Sequence, residues 1–320
     1  MGFNLNMLVS LKSVLNKAKE GHYAVPAFNI NDLEFLQAIV EVAKKMKSPV
    51  IVQTSEGAIK YAGMENLANM AKTAAKEGVK IVFHLDHGKD FKIIKKALNA
   101  GYTSIMFDGS ALPYEKNLRL TKQMVAAAHK KGISVEAELG ALRGVEDLVS
   151  VSEREAILTN PKQAAEFVKK TGCDALAVAI GTSHGAYKFS AKGGSASGGK
   201  GHKLDFERLK KIKRVVKIPL VLHGASGVSP YLVNLINKCG GEIGCAKGNS
   251  DSEIKKAISL GVCKINIDTD LRLAFTAGVR CELKKDKKVF DPRQILGAAK
   301  EIMKKVIADK IKLCGSGGKI

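Results

Sequence analysis

The sequence predicts an α/β protein, a (β/α)8 TIM barrel, and three observations carry the prediction. Eight short apolar runs bounded by Gly, Pro, Asn or Asp recur along the 320 residues. Helical periodicities lie between them, so the strands pair in parallel. No GxGxxG follows the first run, as a doubly wound dinucleotide-binding sheet would ask, and eight strand–helix units close into a barrel.

Element by element, the chain opens on MGFNLNMLVSLKSVLNKAKEG (1–21), an amphipathic helix pattern. It lacks the uninterrupted apolar core and cleavage site of a secretion signal, and the Ser/Thr that a myristoylation motif needs at position six. The apolar runs are AVPAFNI (24–30), PVIVQTS (49–55), KIVFHLD (80–86), TSIMFDG (103–109), SVEAELG (134–140), ALAVAIG (175–181), IPLVLHG (218–224) and VCKINID (262–268). Between them, LEFLQAIVEVAKKM, MENLANMAKTAAKEG, EKNLRLTKQMVAAAHKKG and PKQAAEFVKKTG repeat apolar residues at helical spacing. Several of these segments end in Gly, which suits a helix C-terminus. The segment 190–203, SAKGGSASGGKGHK, breaks the rhythm and reads as a flexible Gly/Ser-rich loop between the sixth strand and its helix. The whole of 1–320 is expected to form one barrel domain.

Composition narrows the function. A 45% hydrophobic content suits an ordinary globular chain, and no apolar run nears the roughly 20 residues of a membrane span, so a cytoplasmic protein is expected. Six cysteines form no CxxC pair or regular framework, and in a chain this size they read as reduced thiols. The net charge of +21 raises nucleic-acid binding as a reading. However, the lysines are dispersed over the solvated faces of predicted helices, and 5% aromatic content without tryptophan offers few stacking platforms. No nucleic-acid partner is expected, whereas a positive field suits a small anionic substrate.

The polar residues locate the site. In such a barrel chemistry sits at the C-terminal strand ends, and side chains alternate along a strand. Val82, His84 and Asp86 then face inward while Ile81, Phe83 and Leu85 face the helices. His87 has the wrong parity for a continuing strand, so the chain must turn there, beside Gly88. The same alternation groups Glu136 with Glu138, and Asn266 with Asp268 and Asp270. His184 follows the sixth strand and His223 ends the seventh. His87, His184 and His223, neutral imidazoles on three strands of one ring, are a candidate catalytic metal site. Three unrelated structural histidines are the competing reading, and His22, His129 and His202 read as solvated. HGA (184–186), HGASG (223–227) with Ser226, and NIDTD (266–270) leave backbone N–H groups and hydroxyls where this fold usually binds phosphate. On residues alone, the chain reads as a metal-dependent lyase or isomerase of a sugar phosphate.

FHLDHG, VEAELGALRGVED, AVAIGTSHGAYK, IPLVLHGASG and CKINIDTDLR together resemble the class II, zinc-dependent fructose-bisphosphate aldolases, in order and spacing. YAVPAFNINDLEFLQAIV and PVIVQTSEGAIKY extend the resemblance over nearly the whole chain. The resemblance implies Zn2+ on His87, His184 and His223, with a monovalent cation as a further ion. Asp86 would be the acid/base at the C4 hydroxyl, and Glu146 would exchange the proton next to the carbonyl. Asp108 and Glu138 would serve a second, displaced metal position. Gly185, Gly224, Ala225, Ser226, Asn266, Ile267, Asp268 and Thr269 would form the dihydroxyacetone-phosphate site, near Asn29 and Ser55. Asp270 and Arg272 would contact the far end of the sugar bisphosphate, and the assembly would be a homodimer or homotetramer.

Departures from the family pattern are Ala111 and Leu112 where two histidines are usual, Arg143 in ELGALRG, and the length of the 190–203 insertion. Tagatose bisphosphate is the alternative substrate, and a non-catalytic basic nucleic-acid-binding barrel is the alternative of another class. A Schiff-base aldolase needs a lysine at a catalytic strand end, whereas Lys264 lies at the start of its strand. Ligand chemistry alone does not choose among Zn2+, Co2+ and Fe2+.

Overall fold

A computed structural model describes residues 7–140, 143–146, 149–151, 158–184, 204–244 and 248–320, with backbone only at 143–146, 149–151 and 183–184. Eight parallel strands close into a barrel: β1 (Val25–Asn29), β2 (Val50–Thr54), β3 (Ile81–Gly88), β4 (Ser104–Phe107), β5 (Ser134–Leu139), β6 (Ala175–Val178), β7 (Leu220–Leu222) and β8 (Val262–Ile267). Each pairs with its sequence neighbours, and β8 closes the ring on β1 with Val25 opposite Lys264. All eight strands fall on the eight expected runs, and helices connect them.

The alternation holds. Ile81, Phe83, Leu85, Phe28, Val52, Leu176 and Ile267 join the outer core against the helices. Inside, character changes with height. At the N-terminal end Val25, Ala27, Ile51, Val82, Ala175, Ala177, Val221 and Cys263 pack on Leu11, Val14, Leu15 and Ala18 of helix Leu11–Glu20, which plugs the barrel floor. Polar and charged side chains occupy the middle and the mouth.

Helix starts are capped as residue chemistry asks. Asp32 accepts from Phe35 N–H at 3.0 Å, and Asn160 accepts from Lys162 and Gln163 at 2.9 and 3.3 Å. The opening helix is shorter than its pattern. It begins at Leu11, because the Ser10 hydroxyl caps Ser13 N–H, while Leu8 pairs with Ile81 as an extended bridge. The helix Thr269–Lys285 packs on Pro292–Cys314, where a Cβ at Gly278 would lie 2.3 Å from Ala299 Cα. Among the described residues, no helix is long and apolar enough to cross a membrane.

The thiol expectation is corrected. Cys239 and Cys281 form a disulfide with Cα atoms 5.0 Å apart. Packing of helix Pro230–Lys238 on helix Thr269–Lys285 brings the two together, which spacing in sequence does not show. Cys173, Cys263 and Cys314 are free and buried. Cys245, His202 and the 190–203 segment lie outside the described residues.

Candidate active site at the barrel mouth

The turn expected at His87 is made within β3 itself. His87 takes φ +47° and the β3–β4 register shifts between Leu85 and Gly88, which is a bulge. The bulge rotates His87 from outward parity to the mouth. Gly88 permits it, because a Cβ there would stand 2.7 Å from Met106 O.

Around His87 the mouth is dense with buried polar groups. His87 Nδ1 lies 3.0 Å from Asp108 Oδ2 and 3.7 Å from Glu138 Oε2, and its ring meets that of His223 edge-on, centroids 4.6 Å apart. His223 Nδ1 is 3.6 Å from Glu138 Oε2. Asp86 accepts from Asn29 Nδ2 and Asn266 Nδ2, both at 3.0 Å, and Gln53 Nε2 donates to Asn29 Oδ1 at 2.7 Å. Three amides from three strands thus fix one carboxylate. Burial pushes the Asp86 carboxyl up, but the charge of His87, followed by Lys264 and His223, brings it below its ordinary value. Asp108 likewise ends well below its ordinary range, against burial, because of its bond to His87.

Below the mouth His223 reaches a buried layer whose other members, Glu136, Lys264 and His84, have no expected role. Glu136 Oε1 takes a bond from His223 Nε2 at 2.7 Å, and Glu136 Oε2 pairs with Lys264 Nζ at 2.9 Å. His84 Nε2 stands 3.7 Å from Glu136, and His84 Nδ1 bonds Ser104 Oγ at 2.9 Å. All four ionisable groups are fully buried. The signal was present in the parity of Glu136 and His84, and Lys264 shares it. Lys264 sits in this layer with its ammonium committed to Glu136.

These residues fit a divalent cation. Donor atoms of Asp86, His87 and His223 lie within 4.8 Å of one another, as do those of His87, Asp108 and Glu138. The buried His223 Nδ1 has no hydrogen-bond partner among the described residues, and Glu136 on Nε2 sets the tautomer that leaves its lone pair toward the cluster. The cluster calls for positive charge. Burial opposes an imidazolium at His223, yet Glu138 and Glu136 raise its pKa to about 9.

The remaining expected residues divide. Glu146 and His184 lie on strands Arg143–Glu146 and Ser183–His184, which pair in parallel with Gly144 opposite His184; the backbone therefore brings the two segments together. Their side chains, that of Arg143, and Gly185 lie outside the described residues. The loop after β7 curls with Gly224 at φ +59° and Val228 at φ +49°, and Ser226 Oγ accepts from Asp268 N–H at 3.4 Å. Ala225 and Ile267 turn their side chains to the outer core, so only their backbone can face a ligand. Ser55 caps helix Glu56–Ala62 through Ala58 N–H. Arg272 Nε bonds Asp268 Oδ1 at 2.7 Å.

The strand pattern expected through Asp270 ends early. Helix Thr269–Lys285 has already begun, which turns Asp270 away from the mouth toward the β7 loop. His129, expected in solvent, is half-exposed and bonds the buried Asp174 at 2.8 Å.

A closed parallel barrel with imidazoles and carboxylates converging at its C-terminal mouth defines a barrel protein with donor groups that could hold a metal ion beside a buried aspartate. The chain belongs to the class II fructose-bisphosphate aldolase family, whose model matches residues 9–319. Members of this family generally depend on a metal. The chain is 51% identical to the fructose-bisphosphate aldolase of Thermus caldophilus, over 98% of this chain and 100% of that one. It is 44% identical to that of Helicobacter pylori 26695, with the same coverage. Among solved structures, the YdjI aldolase of Escherichia coli K12 superposes with TM-score 0.76 at 35% identity, covering 98% and 99% of the two chains. A putative fructose-1,6-bisphosphate aldolase of Coccidioides immitis gives 0.78 at 30% identity, covering 97% of each.

Proposed function

We propose that this protein reversibly cleaves fructose 1,6-bisphosphate to dihydroxyacetone phosphate and glyceraldehyde 3-phosphate. The observation that carries the reading is Asp86, a buried carboxylate held by Asn29 and Asn266 beside His87 and His223. Such a group is oriented to take the C4 hydroxyl proton as the C3–C4 bond breaks. His87, His184 and His223 would hold the cation, zinc as the family resemblance implies, with Asp108 and Glu138 as a second position beside His87. When bound, that ion acts as a Lewis acid that spreads the charge of the enediolate. Glu146 would return a proton to the carbanion carbon from its strand beside His184. Gly185, Gly224, Ala225, Ser226, Asn266, Ile267, Asp268 and Thr269, with Asn29 and Ser55 nearby, would cradle the dihydroxyacetone phosphate half, and Arg272 would meet the other phosphate.

The same reading includes one domain over 1–320, a cytoplasmic site of action, a monovalent cation as a further ion, and a homodimer or homotetramer. For assembly, Tyr231, Leu283 and Phe290 offer exposed apolar surface. Fructose is favoured over tagatose by the DTDLR stretch and by the relatives' names.

A coupled cleavage assay on both bisphosphates, with and without chelator, tests the proposal. Fructose bisphosphate should be the better substrate. Activity should vanish on chelation, return with Zn2+, and survive borohydride added with substrate. Chelator-resistant cleavage would refute it.

A further inference from the structure

We propose that Lys310, on the C-terminal helix, is a positioning residue for the anion-binding loop after β7 and acts through Asp270. The inference rests on reading that loop as a phosphate cradle. Asp270 is buried, and both its oxygens are in use. Oδ1 accepts Val228 N–H at 2.8 Å, and Oδ2 accepts Gly227 N–H at 3.0 Å while pairing with Lys310 Nζ at 2.9 Å. Two consecutive backbone N–H groups thus close on one carboxylate, as anion-binding nests do.

The clamp has a strained turn to hold. Val228 has φ +49°, a conformation that a β-branched residue adopts only when its surroundings impose it. Other contacts locate the loop: Asn249 Nδ2 donates to Gly224 O at 2.8 Å, and a Cβ at Gly248 would fall 2.2 Å from Ser226 O. Asp270 is the group that grips residues 227 and 228.

The grip has an electrostatic cost. A bare carboxylate behind the loop would repel the phosphate that the loop's other face receives. Lys310 removes that penalty. By spacing it shares a helix face with the buried Met303, Ile307 and Cys314, and its side chain is 14% exposed. A second carboxylate, Asp251, stands 3.9 Å from the ammonium. Lys310 therefore keeps Asp270 ionised as a clamp and cancels its field at the site. A lysine within an otherwise apolar helical stripe is the sequence signal for it.

Lys310→Met is the primary test, with Lys310→Gln as the variant that keeps a polar tip should the first fail to fold. In the metal-loaded enzyme, KM for fructose bisphosphate and the inhibition constant of inorganic phosphate should rise together, about tenfold. The kcat should stay within twofold and metal content should be unchanged, while Lys310→Arg restores both constants. Unmoved KM and phosphate inhibition would overturn the proposal. A second arm needs no turnover: the Gly227 and Val228 amides should exchange hydrogen at least tenfold faster in the neutral variants than in the parent and Lys310→Arg. Unchanged exchange would overturn the positioning role even if the protein cleaves no bisphosphate, whereas faster exchange without turnover would sink only the aldolase reading.

Discussion

Replacing Glu136 with glutamine keeps the side chain's volume and removes the carboxylate facing Lys264. The two groups are 2.9 Å apart and fully buried. At an effective dielectric of about 20, their attraction is roughly 6 kcal/mol. Measured losses on removing one partner of a buried pair run to about 3–5 kcal/mol, because the other charge is left without compensation. Glutamine can still accept from His223, so the loss should come from Lys264. Unfolding entropy of about 2.1 cal/mol/K per residue turns that range into a melting-temperature drop of about 4–7 °C for the 320 residues. The measurement belongs on chelated protein, since bound metal would add stability by mass action. Adding Lys264→Met to Glu136→Gln should recover about 2 kcal/mol or more, because a buried thioether needs no counter-charge. A single variant within about 1 kcal/mol of the parent, or a double variant no more stable than the single, would show that the layer is not held by this pair.

Three further outcomes follow from the packing. Leu15→Ala, at a fully buried position in the floor plug, should cost about 2–5 kcal/mol in denaturant unfolding while kcat stays within twofold. Cys281→Ser should lower stability by about 2–4 kcal/mol: a closed loop of 42 residues implies about 4 kcal/mol from chain entropy, and the parent in reductant should match the variant. Asp270 is buried, which pushes its carboxyl up, but Lys310 and the amides of Gly227 and Val228 bring it below its ordinary value. Its folded pKa is therefore the lower one, and its stabilisation is present above about pH 4 and lost as pH falls through the folded value. The stability gap between parent and Asp270→Asn should be flat above pH 4 and shrink below it, and a pH-independent gap would refute the pairing.

The barrel was legible because its signals are local and periodic. Alternation placed Asp86, Glu138 and Asn266 inside, and the misfit of His87 with that alternation exposed the bulge. What escaped depends on which distant segments meet. The Cys239–Cys281 pair requires two helices to dock, and the Asp270–Lys310 contact joins residues 40 positions apart, at the start of one helix and near the end of the next. Lys264 was underrated for a related reason. Its position early in β8 argued against catalysis, but a buried ammonium needs a counter-charge wherever it lies, and Glu136 had the matching parity.

A helix closes the floor and buried side chains fill the interior above it, so among the described residues the groups that can meet a ligand stand at the mouth. Both triose phosphates would then leave across the same face by which the hexose arrived. A compound lodged at the rim should then obstruct the forward and the reverse reaction alike.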